Sequence, residues 1–547
     1  MRSFIKTFEE TVKCCWDNPA INDYNCSART YGDLAREIAM MHLVWREAGL
    51  QPGDKISLNA RSSANWATTF MAVVSGGYVS CQLFHGFTSS DVQKFTNHSE
   101  SKILYTEQSI FAGMNFDDMP QVVAVIDMKS RELLASRGNF AEIYARRKSL
   151  FDTQYVGGFS ADNVVYANLE METLCCLNYT SGSTGIPKGV MLTVGNLSSN
   201  VDMIPAYLPY RKGEPYLSVL PFAHIFGMTF DMITTLSTGM HVTVLGRLPA
   251  PSILKDAIQE ISPRMLIMVP LVLSKFTDYA IGEFVHAKTG KTRLADYKSH
   301  PEYCQALRTI MMSYLGGKCE VIVTGGAAIP EHLEQLLALK LELPLITGYG
   351  MTECAPLITL GTVGKYKLKS CGEVVKRVET HIESPDPQNA VGELWVKGAN
   401  TFVGYYKNPQ ADSEVFTVDG WFRTGDLGVI DKDNTLFLVG RCKSMLLASN
   451  GENVYPEEIE VKLNAMPYVA ESIIVQRGEK FVAIIVPNAE QLATEHVSSS
   501  TLTDIMNRNI EALNKSIPIH AQISSYELHD DSFAKTPKGS IKRFMYS

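Results

Sequence analysis

The residues Asn178-Tyr179-Thr180-Ser181-Gly182-Ser183-Thr184-Gly185-Ile186-Pro187-Lys188-Gly189 place four small hydroxyl side chains, three glycines and a lysine within twelve positions. Glycines let a backbone curl until several N–H groups point at one spot. Hydroxyls add donors, and a lysine adds a mobile positive charge. Together these parts suit a phosphate cradle. The spacing Gly182-x-x-Gly185-x-x-Lys188 does not match G-x-x-x-x-G-K-[ST], nor the dinucleotide pattern G-x-G-x-x-G. A Gly/Ser/Thr cluster is also the usual composition of a plain surface loop, and the stretch taken alone leaves both readings open.

Three further stretches carry groups that suit a nucleotide. Gly348-Tyr349-Gly350-Met351-Thr352-Glu353 offers a carboxylate, a hydroxyl and an aromatic face. Mg²⁺ prefers one or two carboxylates plus phosphate oxygens, which fits Glu353, while Thr352 fits a phosphate and Tyr349 a base. Gly325-Gly326-Ala327-Ala328 has side chains small enough for a planar ring to approach. Trp421-Phe422-Arg423-Thr424-Gly425-Asp426 sets a carboxylate beside a glycine turn, and a carboxylate accepting two hydroxyls is a common way to hold a ribose. Each has a plainer alternative: a tight glycine turn with a solvated acid, a strand-to-helix turn ending at Pro330, and an Asp that only forms a turn. Pro221-Phe222-Ala223-His224-Ile225-Phe226-Gly227 embeds a histidine among aromatics, more often a satisfied core residue than a catalyst.

The elements around these stretches read as layered α/β structure. Leu174–Leu177 is an apolar run entering the first stretch. Strand candidates are 102–105, 122–126, 217–220, 241–245, 265–269, 320–323 and 345–346, separated by helical patterns, as expected for parallel layers. Loops after such strands are where α/β sheets bind ligands. Thr30-Tyr31-Gly32-Asp33 has capping-box character ahead of Leu34, Ile38, Met41 and Trp45 at helical spacing. Beyond about residue 430 the pattern changes to a small α+β unit. Pro456-Glu457-Glu458 opens a helix there, and 472–475 and 481–486 form a hairpin around Arg477-Gly478. Gly440-Arg441-Cys442-Lys443 marks the boundary, giving domains 1–440 and 441–547.

The chain has 547 residues, 45% hydrophobic and 20% charged, with net charge -8 and pI about 5.9, so nucleic acid is not an expected partner. Its 11 cysteines form no C-x-x-C pair and read as reduced, mostly buried thiols. Met1–Lys6 lacks an apolar signal region, and Asp231 with Pro221 interrupts the least charged stretch, 215–246. A cytoplasmic enzyme of small molecules is expected.

Tyr-Thr-Ser-Gly-Ser-Thr-Gly-x-Pro-Lys-Gly-Val at 179–190 resembles the phosphate-binding motif of the AMP-forming acyl-CoA synthetases and their adenylating relatives. Met351–Ile358 and Asn450–Glu458, with Pro270-Leu271-Val272, look most like bacterial long-chain fatty acid–CoA ligases. The resemblance spans nearly the whole chain. It implies a large N-terminal domain of layered sheets and helices with a mobile C-terminal α+β lid. It also implies activation of a medium- or long-chain fatty acid by ATP to an acyl-adenylate, then transfer to coenzyme A with release of AMP. Carried over residue by residue, it assigns the nucleotide to Thr180, Ser181, Gly182, Ser183, Thr184, Gly185, Lys188, Gly326, Ala327, Gly348, Tyr349, Gly350, Thr352, Asp426 and Arg441. Mg²⁺ goes to Glu353 and Thr184, and the acyl group to His224, Phe226 and Gly227. Lys443 falls at the family's hinge and, with Lys188, Thr352, Glu353 and Lys542, completes the expected catalytic set. Two alternatives stand beside this reading: an adenylation enzyme that loads a carrier protein, and a nucleotide-binding protein that has lost catalysis. Contact with a membrane surface and a homodimer stay open.

Ser183 replaces a common threonine, and Val194 stands where many relatives have histidine. In the tail, Lys535-Thr536-Pro537-Lys538-Gly539-Ser540-Ile541-Lys542-Arg543, Ser540 takes the position of the family's lysine that reaches the reacting carboxylate. A serine cannot supply that positive charge. Lys538 and Lys542 flank it, and Lys542 is the expected replacement because Pro537 and Gly539 bend the chain at Lys538. A solvated basic end is the plainer alternative.

Overall fold

Among the described residues four sheets make up the large N-terminal part of the chain, and the two-stranded ribbon Leu446–Leu447 with Asn453–Val454 and a three-stranded sheet make up the smaller C-terminal part. The computed structural model describes residues 1–180, 188–247, 250–289, 301–448, 452–478, 480–535 and 541–546. Ser181, Gly182, Ser183, Thr184 and Gly185, and Lys538 and Ser540 in the tail, lie outside the described residues.

The first sheet has seven strands in the spatial order Leu133–Ser136, Ala124–Asp127, Ile103–Thr106, Lys55–Asn59, Val79–Leu83, Leu174–Thr180, Lys188–Thr193. Its inner pairs are parallel and its two outer pairs antiparallel. Inner strands such as Val79–Leu83 are buried throughout, as parallel strands covered on both faces must be. The helix Ala64–Ser75 is almost wholly buried, which accounts for its apolar residues all round.

The second sheet joins Met265–Met268, Val321–Gly325 and Leu345–Gly350 in parallel and adds Leu357–Leu360 and Glu373–Val374 antiparallel. Pro215–Ser218, His241–Val244 and Pro19–Asp23 form a third, parallel but for the edge strand Arg29–Thr30. The expected strands therefore all form, with ends shifted by a few residues. The capping box at Thr30 is present: Thr30 Oγ1 accepts from Asp33 N at 3.1 Å, and Thr30 N donates to Asp33 Oδ2 at 2.9 Å.

The fourth sheet was not expected. Val378–Glu383, Gly392–Gly398, Phe422–Ile430 and Leu436–Arg441 form an antiparallel meander just before the smaller domain. The stretch expected to be a Gly-Asp turn is part of the continuous strand Phe422–Ile430, in which Gly425 takes φ +73°. In the C-terminal part the helix Pro456–Asn464 starts at its proline, and Val469–Arg477 pairs with Lys480–Pro487 as the expected hairpin. The third strand there, Ile523–Leu528, runs parallel to the second. Among the described residues no helix is long and apolar enough to cross a membrane.

Candidate active site

The strand Leu174–Thr180 and its antiparallel neighbour Lys188–Thr193 pair Tyr179 with Gly189 and Thr180 with Lys188, so the two ends of 181–187 lie opposite each other. Lys188 is thus fixed at the sheet's edge. The free side of its strand takes up residues 403–406: Val403 N donates to Met191 O at 3.2 Å, Met191 N to Gly404 O at 3.0 Å, and Tyr406 N to Gly189 O at 2.7 Å. This pairing sets the Tyr405 ring beside Lys188, whose Nζ stands 4.6 Å from the ring centroid. Asp412 Oδ1 accepts from Tyr405 N at 2.7 Å. Gly404 takes φ +142°, a conformation that strains any residue with a side chain, and a Cβ there would also press on Asp412 Oδ2 at 2.9 Å.

Tyr405 reaches a second group. Its hydroxyl donates to Glu353 Oε1 at 3.0 Å, and Phe402 N donates to the Glu353 carbonyl at 2.8 Å. Burial and the Glu353 carboxylate push the Tyr405 phenol far up, so it stays a donor. Glu353 is only 9% exposed and lies with buried Thr352 in the single 3₁₀ turn Thr352–Cys354. Asn200 fastens that turn, donating to Cys354 O at 3.2 Å and accepting from Leu357 N at 3.3 Å. Among the described residues Glu353 makes no ion pair with a lysine or arginine.

The strands Val321–Gly325 and Leu345–Gly350 end side by side, with Gly325 opposite Gly348. A Cβ on Gly325 would lie 2.6 Å from Gly348 O, and one on Gly350 2.1 Å from Pro356 O, so only glycine lets these backbones close. Tyr349 leaves this edge and donates from its hydroxyl to Asp426 Oδ2 at 2.5 Å. Asp426 pairs across the antiparallel ladder with Arg441, whose Nε lies 2.9 Å from Asp426 Oδ1. Asp426 is 4% exposed, whereas the Arg441 side chain is 66% exposed. Burial pushes the Asp426 carboxyl up, and Arg441 and Tyr349 pull it back. Glu393 supports the kink, accepting from Gly425 N at 3.2 Å.

Residues 8–406 match the AMP-binding enzyme family, and 443–546 match the AMP-binding enzyme C-terminal domain. The chain belongs to the AMP-binding enzyme family. It is 27% identical to the long-chain-fatty-acid–CoA ligase FadD15 of Mycobacterium bovis, over 84% of this chain and 76% of that protein. It is 26% identical to 4-coumarate–CoA ligase 1 of Arabidopsis thaliana, over 97% of this chain and 89% of that one. Its fold is shared with the Bacillus subtilis o-succinylbenzoate coenzyme A synthetase MenE solved with ATP and magnesium, at TM-score 0.74 and 21% identity over 98% of each chain.

In this AMP-binding chain the structure brings the expected site residues together in two groups: Lys188 with Glu353 and its neighbour Thr352 around Tyr405, and Tyr349 with Asp426 and Arg441. His224 joins through its loop: Asn178, two residues before Thr180, donates from Nδ2 to Ala223 O at 3.1 Å. Gly227 is required there, since a Cβ would meet Pro221 O at 2.5 Å. Phe226 stacks edge-on against Phe230 at 5.1 Å. Lys443 directly follows the Asp426–Arg441 pair, and its neighbour Cys442 donates from N to Gly425 O at 2.8 Å. Lys542 sits in the C-terminal part. Among the described residues its backbone bonds, to Ala534 O at 2.8 Å and from Met545 N at 3.0 Å, stay within the C-terminal part.

Sequence reading missed three residues here. Tyr405 follows a glycine in an unremarked Gly-Tyr-Tyr, and Glu393 lies in the unexpected sheet. In the sequence Asp231 is a charge interrupting an apolar stretch, and that oddity is its signal. Fully buried, it accepts from Tyr216 Oη at 2.7 Å, Ser218 Oγ at 3.0 Å, Val219 N at 3.2 Å and Leu220 N at 3.1 Å. Burial pushes it up to about 7. It thereby anchors the chain entering the His224 loop.

Proposed function

We propose that this chain activates a medium- or long-chain fatty acid with ATP, forming acyl-adenylate and pyrophosphate, and then passes the acyl group to coenzyme A with release of AMP. One observation carries the reading: Tyr405 links Lys188 to the buried carboxylate of Glu353, which makes no ion pair with a lysine or arginine among the described residues, while a second buried carboxylate, Asp426, is held by Tyr349 and Arg441. Membership of the family supports the coarser part, an adenylate-forming acid–CoA ligase. The fatty acid is the finer part. FadD15 and the apolar surroundings of His224, Phe226 and Phe230 favour it, whereas the coumarate ligase shows that similar chains take other acids.

The residues fit Mg²⁺ held jointly with a triphosphate. Among the described residues no three His, Cys, Asp or Glu side chains cluster as a complete protein cage, and Glu353 offers one carboxylate, the number Mg²⁺ commonly takes from protein at a nucleotide site. Bound there, the ion would neutralise charge building on the phosphate oxygens. Lys188 and the Thr352 hydroxyl are assigned the α-phosphate, where positioning and charge matter more than a protein nucleophile. Asp426 and Arg441 are assigned the ribose, and Gly326, Ala327, Gly348 and Gly350 the adenine and its approach. His224, Phe226 and Gly227 line the acyl end. The division at 440/441, rotation about Lys443 and a charge from Lys542 during adenylation belong to the same proposal, as does a cytoplasmic location.

The test is ATP-dependent AMP release across acids from acetate to long chains, with and without coenzyme A. Each buried methylene contributes about 0.8 kcal/mol, so kcat/KM should climb with chain length until the pocket ends. A maximum at acetate, coumarate or an amino acid rejects the fatty acid. Release that responds to a carrier protein but not to coenzyme A rejects the acceptor.

A further inference from the structure

We infer that Tyr405 is a positioning residue for adenylation, its hydroxyl orienting Glu353 and its ring seating the Lys188 ammonium. This rests on the assignment of Lys188 and Glu353 to the triphosphate. The two groups come from different sheets: Lys188 opens the last strand of the seven-stranded sheet, and Glu353 follows a strand of the five-stranded one. Tyr405 touches both, through a 3.0 Å hydrogen bond to Glu353 Oε1 and a ring centroid 4.6 Å from Lys188 Nζ.

The contact is one-sided in a useful way. A lysine paired directly with Glu353 would cancel the charge a divalent cation needs. With the ammonium against the ring face, the quadrupole helps to seat Lys188, and the Glu353 charge is left for a divalent ion. The phenol takes one acceptor site on Oε1, which fixes the carboxylate's rotation and leaves Oε2 for other partners. The backbone that carries Tyr405 is itself clamped, by Asp412 at its N–H and by the Lys188–Thr193 strand on either side. A ring held this firmly can set the separation of the two charged groups before any nucleotide arrives, which is the condition for preorganised electrostatics.

The competing explanation is packing alone, because Tyr405 also stands edge-on to Phe402 at 4.9 Å in a cluster with Phe416 and Phe422. ATP titrated calorimetrically into the full chain, with and without Mg²⁺, separates the two. The variants are Tyr405→Phe, Tyr405→Leu, Lys188→Ala and Glu353→Gln, each checked by thermal melting. Tyr405→Phe keeps the ring and should lower the tightening of ATP binding by Mg²⁺ at least about threefold, leaving Mg²⁺-free binding at the parent value. Tyr405→Leu should in addition weaken Mg²⁺-free binding at least about fivefold, towards the level of Lys188→Ala. If Tyr405→Phe is folded and binds ATP and Mg²⁺ as the parent does, while Lys188→Ala and Glu353→Gln are impaired, Tyr405 only packs and the inference fails alone. If Lys188→Ala and Glu353→Gln also bind like the parent, the triphosphate assignment fails and this inference falls with it.

Discussion

The site contains two corners built from the same three kinds of group and wired differently. In one, Tyr349 donates to Asp426, and Arg441 pairs with that carboxylate directly at 2.9 Å. In the other, Tyr405 donates to Glu353, and the cation Lys188 rests on the tyrosine ring at 4.6 Å. A buried carboxylate neutralised by a guanidinium still accepts hydrogen bonds but offers a divalent ion little. A carboxylate that takes its hydrogen bond from a neutral phenol and makes no ion pair among the described residues leaves its charge for a divalent ion. On the proposed assignment, the position of the positive partner, on the carboxylate or on the tyrosine, separates the corner given to the ribose from the one given to metal and phosphate.

The most severe way to break the contrast is Glu353→Gln. Loss of the charge should leave the fold intact and slow pyrophosphate release by roughly 10³-fold, about 4 kcal/mol of transition-state stabilisation. Parent-like release would remove the metal corner. Asp231 provides a third case, a buried carboxylate whose donors are Tyr216, Ser218 and two backbone N–H groups, with Tyr210 also nearby. Its folded value of about 7 lies above the ordinary 3.8. Between these values the folded chain holds more protons than the unfolded one, so this group's contribution to stability is lost as pH rises from 3.8 towards 7, with a slope of up to about 1.4 kcal/mol per pH unit. Denaturant melts across that range should show Asp231→Asn flattening the curve; an unchanged slope contradicts the assignment.

Smaller effects sharpen the sugar corner. Asp426→Asn keeps an acceptor but loses the charge, and should raise KM for ATP about tenfold, ~1.4 kcal/mol, while narrowing the preference for ATP over its 2′-deoxy form. Equal loss with both nucleotides would take Asp426 off the ribose. Arg441→Lys should do least. Its side chain is largely exposed, so a change in KM of no more than about fivefold, ~1 kcal/mol, is expected.

The parallel core was legible because strands such as Val321–Gly325 and Met265–Met268 are continuous apolar runs bounded by helices. The Phe422–Ile430 meander was not. Val378–Glu383 carries glutamate, threonine and histidine with one fully buried side chain, so its period of two has little contrast. The candidate residues were legible one motif at a time, through glycines beside a carboxylate or lysine. Their wiring was not: Asp426 meets Arg441 only through ladder register, and Tyr405 meets Lys188 and Glu353 only because 403–406 joins a sheet edge more than two hundred residues earlier in the chain. No local pattern encodes such pairings.

The most direct measurement follows the carboxylate oxygen. A fatty acid labelled with ¹⁸O in both carboxylate positions is incubated with ATP and coenzyme A, and the products are weighed by mass spectrometry. In adenylation one carboxylate oxygen bonds to the α-phosphorus, and when the thiol attacks the carbonyl carbon the C–O bond breaks and that oxygen stays with AMP. One ¹⁸O per AMP, with unlabelled pyrophosphate, is the expected result. Label in inorganic phosphate alongside ADP, or AMP formed without label, would contradict an acyl-adenylate and with it the functional assignment of both corners.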